Sequence, residues 1–108
     1  MKYSHLGIPT ETPQPGEMYL AGYDVHCTDH EANPFGIQWM RYGARCTLPR
    51  IVQEVAHVAF EVDDLAAALA GREVIIPPNS PSPGVTVAFI LVDGAPVELL
   101  EYRRGSER

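Results

Sequence analysis

His57-Val58-Ala59-Phe60-Glu61-Val62-Asp63-Asp64-Leu65-Ala66-Ala67-Ala68-Leu69-Ala70-Gly71 changes period half-way, and that change decides the fold. Half of residues 55–62 are β-branched or aromatic, a composition that suits a strand. Asp63-Asp64 then supplies a helix N-cap, Ala and Leu are strong helix formers, and Gly71 is a natural stop. Downstream, Glu73–Ile76 reads as a short strand ended by Pro77-Pro78, and 79–84 as a Pro/Ser loop. Val85–Val92 reads as a strand, Asp93-Gly94 as a hairpin turn, and Ala95–Tyr102 as the last strand. The second half is therefore β-α-β-β-β.

Upstream the pattern is more broken, and five of the chain's ten prolines, from Pro9 to Pro49, punctuate it. Met1–Ile8 reads as one strand, and Pro9–Gly16, with three prolines, as neither helix nor central strand. Met18–Asp29 reads as a single extended segment, and Asn33-Pro34-Phe35-Gly36 as a turn. Gly36–Tyr42 reads as a second good strand, and Leu48–Val55 as a linker into the next one. Only one helix, 65–70, is expected.

The halves echo each other in two places. Ser4-His5-Leu6-Gly7-Ile8 resembles Ala56-His57-Val58-Ala59-Phe60, and the segment 36–42 resembles 96–102. Each half thus opens on a strand with a His and closes on a strand with Gln38 or Glu98. The interval from His to the closing polar residue is about eight residues longer in the second half, room for one short helix. A duplicated module explains the matching order better than coincidence.

The same residues carry the candidate chemistry. Glu98 stands in Pro96-Val97-Glu98-Leu99-Leu100, where alternation puts it on a face with Pro96 and Leu100. A buried carboxylate must be paired, protonated or metal-bound; at a sheet edge it would instead reach solvent. His57, in Val55-Ala56-His57-Val58-Ala59, also occupies a strand suited to burial, and a lone His there is ordinarily a packed core residue. Combined with His5, the three make two imidazoles and a carboxylate, donors that suit Zn, Ni, Co, Mn or Fe. Gln38 adds a neutral oxygen donor. His26 and His30, with Asp24, Asp29 and Glu31, read as a solvated loop cluster rather than as a second acid–base site. Cys27 reads as an inert thiol, and Glu101 alternates to the face opposite Glu98. Trp39, Met40, Phe35, Phe60 and Phe89 read as core.

Segments 57–65 and 87–101 are similar to the opening and closing of the module in the vicinal-oxygen-chelate (VOC) superfamily, the glyoxalase, bleomycin-resistance and dioxygenase group. The resemblance is good over 55–102 and weaker over 1–54. It implies an α+β domain of paired βαβββ modules, the first lacking most of its helix. Module one would span about 1–47 and module two about 54–103, within one domain, 1–108. It implies His5, Gln38, His57 and Glu98 as ligands of one divalent metal ion. It implies lyase or isomerase chemistry on a small oxygen-bearing metabolite through a metal-stabilised enolate, with Glu98 as the family-style proton acceptor. Two alternatives stay open: a non-catalytic small-molecule binding or resistance-type protein, and a 2-His-1-carboxylate dioxygenase. Open sheet edges in a module pair of this size make a homodimer the expected state.

Composition narrows the rest. The 108 residues suit one domain, with 45% apolar and 20% charged residues. A net charge of −6, with no basic run before Arg103-Arg104, disfavours nucleic-acid partners. No apolar run is long enough to span a membrane, and the first residues do not read as a secretory signal. Cys27 and Cys46 read as reduced thiols, so a cytoplasmic location is expected.

Overall fold

A computed structural model describes residues 1–103, so Arg104 lies outside the described residues. The fold is mixed α+β. In chain order the elements are β1 (Lys2–Pro9), β2 (Met18–Leu20), β3 (Val25–Cys27), a 3-10 turn (His30–Ala32), β4 (Ile37–Tyr42), α1 (Arg50–Glu54), β5 (His57–Glu61), α2 (Leu65–Leu69), β6 (Glu73–Ser82), β7 (Val85–Val92) and β8 (Ala95–Tyr102). The chain divides into two compact units, one of His5–His57 and the other of Met1–Ser4 with the residues from Val58 onward.

In the unit that begins at Val58, the strand order is β5-β8-β7-β6. Here β5 is parallel to β8, while β8–β7 and β7–β6 are antiparallel. The β7–β8 hairpin closes at Val92↔Ala95 through Asp93 and Gly94, whose φ angles are 50° and 81°. Two positive φ angles make the tight turn whose twist matches that of the flanking strands.

Helix α2 forms where the sequence places it. The Asp64 carboxylate accepts the Ala67 N–H at 3.1 Å, and the Glu101 carboxylate accepts the Leu65 N–H at 2.7 Å. Two of the helix's orphan donors are thereby satisfied. Leu65 is buried against Ala88, Ile90 and Leu99, so α2 covers one face of this sheet. Ala59, Val85, Val87 and Leu100 form a second cluster on the other face, the face to which strand alternation assigns Glu98.

Strand β6 corrects the sequence reading. It does not stop at Pro77-Pro78 but continues to Ser82, through segment 79–82 that the sequence reads as loop. Proline cannot donate to a ladder, yet β6 ends the strand order and pairs on one side, with β7. Three register shifts along that pairing absorb the misfit.

In the unit of His5–His57 the order is β2-β3-β4-β1, with β1 parallel to β4 and the other pairs antiparallel. Each unit therefore pairs its first and last strands in parallel. The extended segment expected over 18–29 is a hairpin instead. Strands β2 and β3 pair from Met18↔Cys27 to Leu20↔Val25, and Asp24 closes the loop at φ 52°. That left-handed conformation is held by the Asp24 carboxylate, which accepts the Tyr19 hydroxyl and the Arg45 N–H, each at 2.8 Å. The Asn33–Gly36 turn forms as read. The Asn33 side-chain oxygen accepts the Phe35 and Ile37 N–H groups, and Gly36 takes φ 72°.

The linker expected over 48–55 contains α1, a five-residue helix starting after Pro49. Pro49 presets the entry, Val52 is buried, and the Gln53 amide donates to the Leu48 carbonyl at 2.8 Å. Among the described residues no helix is long and apolar enough to cross a membrane.

Leu99 tests the helix-covered cluster. It is 3% exposed. Leu99→Ala is expected to lower unfolding stability by about 3 kcal/mol, because it leaves a cavity under α2. Urea denaturation followed by circular dichroism measures this; a loss under about 1 kcal/mol would contradict the packing described.

Candidate metal centre

The two units repeat not only strand order but register. In one, Gly7 of β1 stands opposite Gln38 of β4; in the other, Ala59 of β5 stands opposite Glu98 of β8. Gly7 and Ala59 lie two positions after His5 and His57. Each His therefore shares a strand face with the residue that faces Gln38 or Glu98. Over four pairs in each unit, the register follows the correspondence read from the sequence.

Within the unit of His5–His57 the imidazoles come together. His5 is 4% exposed and His57 2% exposed. Their ring centroids are 5.9 Å apart and their planes meet at 82°. The His57 ring lies directly over Gly7. A β-carbon at Gly7 would stand 2.7 Å from His57 Nε2 and 2.9 Å from Nδ1, well inside contact distance. The glycine is thus the space that the His57 ring occupies.

Gln38 is half-buried, and Thr28 fixes it. The Gln38 amide N–H donates to the Thr28 carbonyl at 3.0 Å, and the Thr28 hydroxyl accepts the Trp39 N–H at 2.9 Å. With its NH₂ group so engaged, Gln38 keeps its carbonyl oxygen as a donor atom for an ion or a water. Glu98 is half-buried in the other unit, paired across to Phe89 as well as to Ala59.

His30 departs from the sequence reading. It is not a solvated loop residue: its ring stacks on His5, with centroids 4.4 Å apart and planes within 23°. The spacing carries no signal of this, because the contact depends on the turn formed by Asp29, whose carboxylate accepts the Glu31 N–H at 2.9 Å. His26 lies elsewhere, paired to Arg41 and packed on the Tyr19 ring at 4.6 Å. Neither Cys27 nor Cys46 forms a disulfide, and Cys27 is half-buried rather than fully buried. Glu101 acts as a helix cap, on the face away from Glu98.

Arg41 donates to both oxygens of Glu17, at 2.9 and 2.7 Å. This fork holds the Glu17 carboxyl down to about 2 and raises the Arg41 guanidinium. The Tyr19 hydroxyl, and then the Arg45 N–H, lower Asp24. These groups brace the β2–β3–β4 sheet that supports Gln38.

No family model matches the chain, and no curated protein matches it. A solved structure, described as the hypothetical protein BH1468 from Bacillus halodurans C-125, superposes with a TM-score of 0.71. It is 18% identical over 99% of this chain and 98% of that one. The two proteins share a fold. At that identity the likeness carries no function across.

Two outcomes follow from this geometry. Gly7→Ala must displace the His57 ring, so affinity for added Zn²⁺ is expected to fall roughly 10–100-fold. Circular dichroism should stay native, and isothermal titration reads the affinity; unchanged binding would show that the ring can move freely. The Glu17–Arg41 pair should set part of the acid stability. Glu17 titrates near its ordinary 4.5 unfolded and near 2 folded. Its contribution is complete above pH about 4.5 and is lost as pH falls toward 2. Glu17→Gln should flatten the stability–pH profile in that window, and an unchanged slope would contradict the pairing.

Proposed function

We propose that this chain is a metal-dependent protein of the VOC type, and that His5, His57 and Glu98 hold one divalent ion, with Gln38 as a further oxygen donor. The observation that carries this reading is the repeated register. In both units the opening His lies two positions from the residue opposite the closing Gln or Glu. Core packing alone gives no reason for a buried His at equivalent positions of both units, since hydrocarbon would fill those positions without a desolvation cost. His5, His57 and Glu98 each offer one ligand atom of the kind divalent transition metals accept.

The donor set fits such an ion. Two buried imidazoles at a steep mutual angle can aim nitrogen lone pairs at one point, and a half-buried carboxylate adds negative charge. When bound, the ion would supply Lewis-acid polarisation to adjacent oxygens of a small substrate. The chain's own contribution is positional. Gly7 makes room for His57, and the Thr28 carbonyl holds the Gln38 amide through its NH₂ group. Of the two closing residues only Glu98 can accept a proton, so Glu98 is the acid–base group of the reading and Gln38 is not. The reaction class that follows is lyase or isomerase chemistry beside a carbonyl. A homodimer located in the cytoplasm remains part of the proposal.

Metal content tests it. Protein purified without chelator or polyhistidine tag should hold about one divalent ion per chain. His57→Ala and Glu98→Ala should each lose it while remaining folded. A wild-type protein that stays empty on adding Zn²⁺, Co²⁺ or Fe²⁺, and is unaffected by chelator, would overturn the reading.

A further inference from the structure

The stacked pair His5–His30 goes beyond that donor set, although it rests on the same reading. We infer that His30 is the positioning residue for His5, and that it acts through the face of its ring rather than through its nitrogens. Its position is built, not incidental. Thr28 ties the segment to β4, since its N–H donates to the Trp39 carbonyl at 3.1 Å and its hydroxyl accepts the Trp39 N–H. Asp29 then caps the 3-10 turn through the Glu31 N–H. Strand β4 pairs with β1, which carries His5. The turn is thus anchored to the strand neighbouring His5, and His30 covers one face of the His5 ring at 4.4 Å.

The near-parallel planes set His30 apart from the residues that would hold the ion. An ion sits about 2.0–2.1 Å from an imidazole nitrogen, in the plane of that ring. With ring centroids 4.4 Å apart and planes within 23°, the two imidazoles would not direct their nitrogens at one shared point. What the stack does supply is orientation. His57 stands edge-on to His5, and His30 lies flat on it. Rotation of the His5 ring about its Cβ–Cγ bond would break the stacked contact. Holding that ring still before an ion binds would lower the ordering cost of binding.

The test compares wild type, His30→Ala and His30→Phe. Zn²⁺ affinity is read by competition with a chromophoric chelator. In the metal-free protein, the His5 ring-proton shifts are read by NMR. His30→Ala should weaken Zn²⁺ roughly tenfold and move the His5 ring protons downfield, because the covering ring current is gone. His30→Phe keeps a flat ring without nitrogens, and should restore affinity to near wild type and return the shifts upfield. Wild-type affinity in His30→Ala would overturn the inference. So would a His30→Phe variant as weak as His30→Ala, since the nitrogen and not the ring would then matter. If wild type binds no Zn²⁺, the metal reading fails on its own. The shifts of the metal-free variants still decide whether His30 stacks on His5, and unchanged shifts in His30→Ala would overturn that contact and the inference with it.

Discussion

Burying two imidazoles, and half-burying a carboxylate, on the strands of a sheet costs free energy unless every polar atom is answered. Among the described residues no buried side-chain nitrogen or oxygen lacks a partner, so the cost is met locally, and most of the framework exists to meet it. Gly7 gives up its side chain so that the His57 ring fits. Thr28 spends both its hydroxyl and its carbonyl on the Gln38–Trp39 segment. The parallel pairing of first and last strands, repeated with one register in the two units, puts each polar residue where these supports can reach it.

How much of this the sequence disclosed depends on how local each cause is. Helix α2 and the β7–β8 hairpin were legible because their signals are adjacent residues: an Asp before an Ala/Leu run, and Asp93-Gly94 between two β-rich strands. The β2–β3 hairpin was not, because its closure needs Asp24 in the left-handed region. Besides Tyr19, the groups that hold it there are the Arg45 and Gly43 N–H groups, which come from beyond β4. Helix α1 is too short to carry a period. The course of β6 through its prolines depends on its having one ladder partner, which is a property of the sheet and not of the strand.

The candidate site shows the same division. His5, Gln38, His57 and Glu98 could be picked out because the internal repeat aligned them, and the register of the strands matches that alignment. His30 had no counterpart in the repeat. Its place over His5 is set by the Asp29 cap and by the Thr28 contacts to β4. A sequence reading therefore assigned it to solvent. The shared fold with a protein of 18% identity supports the architecture and leaves the chemistry to these residues.

The central claim, one ion held by two imidazoles and a carboxylate, is tested most directly by X-ray absorption at the zinc edge on protein loaded with one equivalent of Zn²⁺. The account predicts a nitrogen and oxygen shell at about 2.0–2.2 Å, with the multiple scattering of two imidazoles and no sulfur. A shell at about 2.3 Å from sulfur, or a spectrum of hydrated zinc without imidazole, would contradict it.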